Sequence, residues 1–136
     1  MKIVVTGSSS GIGRALAARL LERGHEVWGL ARSNQAEYIA QKGGKFRASR
    51  CDVADWDQVA TAAAEVGAAW ESLDGLITCA GIQGEVGPAF ATDPKKWSAT
   101  IRANLDGTYF ALRAFASLLS RAPRRAKIVC FSGGGA

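Results

Sequence analysis

Short apolar segments alternate along the whole chain with longer segments of helical period. The apolar segments predict five strands, at residues 3–5, 26–31, 45–52, 76–79 and 128–131. Between them, apolar residues recur every three or four positions, which is typical of amphipathic helices. Strands that alternate with helices predict a parallel sheet with helices on both faces, and right-handed crossovers leave few ways to connect it.

Several of the predicted helices carry capping signals at their first residues. Asp55 and Gln58 form the pattern of a capping box in front of a helix. Asp93-Pro94 predicts a cap followed by proline at the first helical position. The helical pattern resumes at about Asp106 and continues to residue 120. A short helix is also predicted over residues 35–42, ended by two glycines.

Length and composition indicate one soluble globular domain over residues 1–136, with 48% hydrophobic and 21% charged residues. No segment approaches the roughly 20 apolar residues of a membrane span, so we expect no membrane association and a cytoplasmic location. The three cysteines have no metal-binding spacing and are expected to be buried free thiols. The basic residues near position 124 are interpreted as a solvated loop, because no nucleic-acid motif accompanies them.

A glycine-rich turn between the first strand and the first helix is the strongest local signal. Its spacing is G-x-x-x-G-x-G, and its position at a helix N-terminus would direct free amides and the helix dipole at an anion. We interpret it as a dinucleotide-binding turn; a purely structural turn is the alternative. The candidate binding residues are Gly7, Ser9, Ser10, Gly11, Ile12 and Gly13.

The end of the second strand bears on which dinucleotide is bound. An acidic residue here would grip the ribose 2′-hydroxyl of NAD, but the sequence has Ala31 followed by Arg32 and Ser33. A guanidinium and a hydroxyl suit a 2′-phosphate. We therefore expect NADP(H) to be preferred over NAD(H), the alternative being that Arg32 is an exposed loop arginine.

Several motifs in order resemble those of the short-chain dehydrogenase/reductase family. "TGSSSGIG" matches its nucleotide turn, "CDVAD" its segment after strand three, and "LDGLITCAG" its segment after strand four. "IRANLDGTY" is similar to its helix with a catalytic asparagine, and "KIVCFSGGGA" to the strand that delivers its catalytic serine. The match covers essentially the whole chain but only about the first half of a typical member.

This resemblance implies a Rossmann-like doubly wound sheet with strand order 3-2-1-4-5, truncated after strand five. Asp52 and Val53 would hold the adenine, and the segment Cys79, Ala80 and Gly81 would line the cofactor cleft. Asn104 and Ser132 would be catalytic residues. In the family an asparagine usually stands at the position of Cys79. Ser132 falls at the first of the family's usual two serines, and Gly133 at the one that does the chemistry.

The family's Tyr-x-x-x-Lys pair, which follows the serine, does not occur at that place in this chain. Tyr38 and Lys42 have the same spacing, but they follow strand two, on the adenine side of the sheet, and are interpreted as a chance match. The chain alone is therefore expected to turn over substrate negligibly.

Three functions remain open from the sequence. The first is the dinucleotide-binding half of an NADP(H)-dependent oxidoreductase that reduces carbonyls or oxidises alcohols, with a homo-oligomer expected for the full-length form. The second is a nucleotide-binding or sensing module without redox chemistry. The third is a structural fragment that associates through an unpaired apolar face of the helix over residues 106–120.

Overall fold

A computed structural model describes residues 1–35, 38, 41 and 45–132 of the chain. Five strands alternate with helices in it. The strands are β1 (Lys2–Thr6), β2 (Glu26–Ala31), β3 (Phe46–Arg50), β4 (Gly75–Thr78) and β5 (Lys127–Cys130). The α-helices are α1 (Gly11–Glu22), α2 (Trp56–Ala69), α3 (Pro94–Ile101) and α4 (Gly107–Ser120). The predicted helix over residues 35–42 and its two glycines fall mostly outside the described residues.

All five strands form one parallel sheet in the order β3-β2-β1-β4-β5. From β1 the chain adds β2 and β3 toward one edge of the sheet, and it then returns to add β4 and β5 on the other side of β1. The crevice at the carboxyl ends of β1 and β4 is therefore the topological switch point of the fold. The predicted Rossmann-like order is therefore confirmed. Parallel pairing of this kind requires crossover connections, which explains why each apolar segment is followed by a longer helical one.

Two apolar clusters cover the two faces of the sheet. On one face, Val4 and Leu76 pack with buried residues of α2 and α4, including Val66 and Phe115. On the other face, Val5 and its neighbours pack against Ala17 of α1. Burial on both faces accounts for the uninterrupted apolar runs of β1 and β2.

Helix α2 begins as predicted, with Asp55 as its N-cap. The Asp55 carboxylate accepts hydrogen bonds from the amides of Asp57 (3.0 Å) and Gln58 (3.2 Å). The Gln58 amide nitrogen donates to Asp55 Oδ2 at 2.9 Å, whereas Gln58 Oε1 accepts from the backbone N–H of Asp52 at 3.0 Å. Gln58 therefore ties the cap to the loop before it, where a standard capping box would return to the cap's own amide.

Two expectations for the second half of the chain were wrong. Helices α3 and α4 are joined by a π-helical turn, Arg102–Asp106, so the helical path does not break between them. The apolar face of α4 is not unpaired, because Phe115 and Leu118 lie in the core.

The expectation that the three cysteines are buried was also wrong in part. Cys51 is buried, but Cys79 is half-buried and Cys130 is exposed, although all three cysteines are free as predicted.

Among the described residues, no helix combines the length and apolar character that a bilayer crossing needs.

Candidate functional site

The glycine turn after β1 is held in position by close backbone contacts. Gly7 has φ +70°, and a Cβ there would lie 2.8 Å from the amide nitrogen of Ala80. A Cβ on Gly13 would lie 2.4 Å from the carbonyl oxygen of Gly7. Gly11, with φ +52°, would place its Cβ in open space. The first and last glycines therefore allow the turn to pack, while Gly11 leaves room in front of α1.

Backbone amides at the start of α1 remain available to a ligand. The amides of Gly7 and Ser8 donate to the Leu30 carbonyl of β2, at 2.8 and 3.4 Å. The amides of Gly11, Ile12 and Gly13 have no acceptor within their own helix, whereas the amide of Arg14 already donates to the Ser10 carbonyl at 3.1 Å. Ser10, the N-cap residue, makes no side-chain capping bond in the described part of the chain. A helix N-terminus of this kind binds an anion through N–H groups and the helix dipole.

A cleft of about 410 Å³ opens at this edge of the sheet, where β1, β2 and β4 end. All thirteen residues proposed from the sequence to bind the dinucleotide line it together: Gly7, Ser9, Ser10, Gly11, Ile12, Gly13, Arg32, Ser33, Asp52, Val53, Cys79, Ala80 and Gly81. Their convergence follows from parallel topology, since the residues after each strand meet at one edge.

Arg32 and Ser33 lie in the cleft wall directly after β2. Both side chains are exposed, and the Arg32 carbonyl accepts a hydrogen bond from Arg50 Nε at 3.1 Å, which anchors the loop backbone. Among the described residues that line the cleft, Asp52 carries the sole carboxylate. The part of the cleft beside Arg32 is therefore suited to added negative charge.

The loop after β3 forms the next part of the wall. The Asp52 carboxylate accepts the backbone N–H of Ala54 at 3.0 Å, which closes a tight turn. Val53 is packed against the start of α4, where a Cβ on Gly107 would lie 2.7 Å from Val53 Cγ2. The backbone of the segment that carries Asp52 and Val53 is thus positioned from two sides.

The segment after β4 is tied to β1. The Thr6 hydroxyl oxygen accepts the backbone N–H of Ala80 at 3.1 Å. Burial raises the pKa of the Cys79 thiol, so this side chain is neutral and apolar in character near pH 7. Burial also raises the pKa of the neighbouring Cys51 to about 11. Neither thiol is prepared for nucleophilic chemistry.

The two residues proposed as catalytic lie on the β4–β5 side. The Asn104 side chain makes two hydrogen bonds to the backbone of Ile82, accepting its N–H at 2.8 Å and donating to its carbonyl at 2.9 Å. It belongs to the π-helical turn, and its Oδ1 would lie 3.1 Å from a Cβ on Gly81. Asn104 therefore anchors the cleft wall beside Gly81. Ser132 follows β5 and is exposed, and Gly133 lies outside the described residues.

Tyr38 does not line this cleft. Its ring packs edge-on against Phe46, with ring centroids 4.9 Å apart, and the Arg14 guanidinium carbon lies 5.5 Å from the ring centroid. Burial raises the pKa of its hydroxyl, with Arg14 acting in the opposite direction. These contacts agree with the interpretation of Tyr38 as a packing residue, and its spacing partner Lys42 lies outside the described residues.

Sequence reasoning missed several residues of the cleft: Leu30, Ala31, Cys51, Ile82 and Ala103. Three of them, Ala31, Cys51 and Ile82, are chain neighbours of residues predicted to bind the dinucleotide, so extending each motif by one residue would have found them. Ala103 comes from the π-helical turn, and its approach to the cleft depends on a tertiary contact that no local pattern indicates.

Comparison with known proteins agrees with this geometry. A family model described as short chain dehydrogenase matches residues 1–135. The chain is 33% identical to a short chain dehydrogenase, tazN, of Aspergillus terreus, over 90% of this chain and 28% of that protein. It is also 33% identical to a 3beta-hydroxysteroid dehydrogenase of Mediterraneibacter gnavus, over 86% of this chain and 44% of that protein.

Solved structures are similar over nearly the whole chain. A 3-ketoacyl-ACP reductase from Sinorhizobium meliloti superposes with a TM-score of 0.87 at 32% identity, covering 96% of this chain and 52% of that one. An aldohexose dehydrogenase from Thermoplasma acidophilum gives a TM-score of 0.84 at 29% identity, covering 95% and 48%. The chain thus spans about half the length, or less, of these proteins. Its ordered motifs, sheet topology and family match show that it belongs to the short-chain dehydrogenase/reductase family of oxidoreductases.

Proposed function

We propose that this chain is the dinucleotide-binding half of an NADP(H)-dependent oxidoreductase that interconverts carbonyls and alcohols. The single observation that carries the proposal is the open first turn of α1, which faces a cleft lined by all thirteen residues proposed from the sequence to bind the dinucleotide. The nicotinamide would donate or accept the hydride. The protein's residues bind, orient and enclose it.

The residues present fit a dinucleotide. The amides from Gly11 to Gly13 are the donors for a pyrophosphate, and the open space at Gly11 admits it. Asp52 and Val53 form the wall for the adenine, on the β3 side. Cys79, Ala80 and Gly81 continue the wall on the β4 side, toward Asn104.

Preference for NADP(H) over NAD(H) is proposed from Arg32 and Ser33. An Arg guanidinium offers a fork of N–H donors to a phosphate, and the absence of a carboxylate at Ala31 removes the repulsion that a 2′-phosphate would meet. Charge-assisted hydrogen bonds of this kind are worth about 1.5–3 kcal/mol. We therefore expect NADPH to bind about 10-fold or more tightly than NADH.

Asn104 and Ser132 are proposed for the catalytic side of the site. Asn104 holds the Ile82 backbone and so shapes the cleft where the substrate carbonyl would approach. Ser132 would donate a hydrogen bond to the substrate oxygen. With no Tyr-x-x-x-Lys pair after β5 in these 136 residues, we expect the chain alone to bind dinucleotide weakly and to turn over substrate negligibly.

Association of two copies and a cytoplasmic location belong to the same proposal. A groove of about 1000 Å³ runs between α2 and α4, beside the half-exposed rings of Trp56 and Tyr109. Apolar surface of this kind supports a homo-oligomer. The partner in the reaction would be a small carbonyl or alcohol.

Titration with NADPH and NADH tests the proposal directly. Binding is followed by the tryptophan fluorescence of the 136-residue chain. The variant is Arg32→Gln, and Arg19→Gln is a surface-arginine control. We expect Arg32→Gln to weaken NADPH binding about 10-fold and Arg19→Gln to leave it unchanged. Absence of binding by either dinucleotide would overturn the dinucleotide assignment. Equal affinities would overturn the NADP preference alone. Binding without turnover by the protein's complete reading frame would favour the sensing module.

A further inference from the structure

A cavity of about 440 Å³ lies between α3 and the loop that joins β4 to α3, and we call it the loop cavity. Its described lining comes from residues 83–92 of that loop and from Pro94, Trp97 and Thr100 of the helix. Small-molecule sites occupy about 300–1,000 Å³, so the volume suits a small ligand. None of the described residues lines both this cavity and the dinucleotide cleft, so the two are separate spaces.

The two spaces meet at the segment that Asn104 anchors. Ile82 lines the dinucleotide cleft, and the next residue, Gln83, lines the loop cavity. On the helical side, Ala103 lines the cleft and Thr100, three residues earlier, lines the loop cavity. The loop cavity is therefore next to the β4 side of the cleft, away from the loop after β2.

Contacts to α3 fix the wall of the loop cavity. The Glu85 carboxylate accepts the backbone N–H of Asp93 at 2.7 Å and a hydrogen bond from Lys96 Nζ at 2.8 Å. Gly84 has φ +75°, and a Cβ there would lie 2.5 Å from Thr100 Oγ1. The loop thus closes directly on the helix, and the cavity is formed without a ligand.

The lining of the loop cavity has the chemistry of an apolar site. Trp97, Pro94 and Ala89 supply apolar surface. Among the described lining residues there is no Lys, Arg or His, and the single carboxylate, that of Glu85, is already paired with Lys96. The remaining polar groups are uncharged amides and hydroxyls. An anionic ligand would therefore find no cation in this lining.

Large apolar side chains are concentrated around the loop cavity and exposed to water. Trp97 is 64% exposed, and Phe90, the chain neighbour of Ala89, is 94% exposed. Val86 precedes the lining residue Gly87 and is also exposed. Apolar exposure that is concentrated in one region marks a binding site more often than scattered residues do. An apolar ligand would remove part of this surface from water.

We propose that the loop cavity binds the apolar body of the substrate. The carbonyl or alcohol compound that this site takes then carries a hydrocarbon chain or ring beside the reacting carbon. A polyol would bring hydroxyl groups against Trp97 and Pro94, where they would lose water without gaining partners. The role in a reaction rests on the proposed function, whereas the apolar site itself rests on the cavity alone.

The test uses 2-octanone as the apolar probe and erythritol as the polyol probe, each added to the 136-residue chain. Backbone amide and indole N–H signals are followed by NMR, and Trp97→Phe identifies the indole signal of Trp97. We expect 2-octanone to shift the signals of Trp97 and of the loop glycines, and erythritol to leave them in place.

Variants locate the probe within the molecule. We expect Trp97→Ala to weaken 2-octanone binding about 10-fold and Trp97→Phe to weaken it only about 2-fold, because the smaller ring keeps part of the apolar contact. Trp56→Ala removes the other exposed tryptophan, which lines the groove between α2 and α4, and should leave 2-octanone binding unchanged. NADPH affinity should be the same in all three variants, because none of these residues lines the dinucleotide cleft.

The outcomes separate this inference from the proposed function. If 2-octanone leaves Trp97 unaffected while NADPH binds, the inference is wrong and the proposed function stands. If erythritol shifts the Trp97 signal and 2-octanone does not, the cavity is a polar site and the inference is also wrong. Weakening by Trp56→Ala instead of Trp97→Ala would place the probe in the α2–α4 groove and overturn the inference. If 2-octanone binds through Trp97 but neither dinucleotide binds, the proposed function fails and with it the role in a reaction, while the apolar site is supported.

Discussion

Strands β1 and β5 are made of similar residues but lie in opposite surroundings. Ile3, Val4 and Val5 are at most 4% exposed, whereas Ile128 and Val129 are 51% and 45% exposed. β1 has a strand on each side and packed helices on both faces, while β5 pairs only with β4 among the described residues. An apolar run therefore predicts a strand, but the elements packed around that strand determine how much of its surface is buried.

The same contrast divides the candidate site. After β1, the glycine turn is fixed by contacts to Leu30 and Ala80, so the cofactor side is defined by packing. After β5, Ser132 is exposed and the next residues are not described. The cofactor side consequently supports detailed geometry, whereas the catalytic role of Ser132 remains a prediction.

The largest effect that would test this contrast is expected for a pair of neighbours across β4 and β5. Leu76 and Ile128 are register partners, but Leu76 is fully buried and Ile128 is half-exposed. Leu76→Ala should lower the free energy of unfolding by about 4 kcal/mol, because it leaves a cavity in the core. Ile128→Ala should lower it by about 0.5 kcal/mol. Urea unfolding of the two variants checks this, and equal losses would show that the β5 edge is covered in solution.

A second pair tests how tightly the glycine turn is packed. Gly13→Ala would place a Cβ 2.4 Å from the Gly7 carbonyl oxygen. Because the backbone fixes the position of the Cβ and the atom that it meets is itself a backbone atom, we expect the free energy of unfolding to fall by about 3 kcal/mol. Gly11→Ala meets no atom within 4 Å and costs only the strain of φ +52°, about 1 kcal/mol. Chemical denaturation measures both. A Gly13 variant as stable as the Gly11 variant would mean that the turn relaxes easily.

A third change probes the catalytic side. Asn104→Ala removes both hydrogen bonds to the backbone of Ile82 and should destabilise the cleft wall locally by about 1 kcal/mol. The Ile82 amide should then exchange with solvent deuterium about 5-fold faster. Ser120→Ala, which removes a hydroxyl bonded within α4, is the control and should leave the Ile82 exchange rate unchanged. Unaltered exchange in Asn104→Ala would show that other contacts hold this wall.

Motifs that follow strands directly could be located from the sequence, because parallel strands end at a common edge and local backbone geometry positions the residues after them. Gly7, Arg32 and Cys79 meet for that reason. Features that depend on distant contacts could not be located. Cys130 is exposed because β5, among the described residues, pairs with β4 on one side only. Ala103 reaches the cleft because it lies in the π-helical turn between α3 and α4.

The smallest effect concerns the loop that presents Asp52 to the cofactor side. Asp55 caps α2, and hydrogen bonds from Gln58 and Asp57 hold the pKa of its carboxyl below the usual value. A lowered folded-state pKa means that the ionised cap stabilises the protein above the unfolded pKa, near 3.9. That contribution is lost as the pH falls through the lower folded value.

The stability gap between the wild-type chain and Asp55→Ala should therefore be constant from pH 7 to about pH 5 and should shrink at lower pH. Asp55→Asn keeps a capping side chain without a titrating group, so its advantage over Asp55→Ala should not depend on pH. Urea midpoints measured from pH 7 to pH 3 distinguish the two variants. A gap between wild type and Asp55→Ala that persists undiminished at the lowest pH would show that the cap acts through its shape and not through its charge.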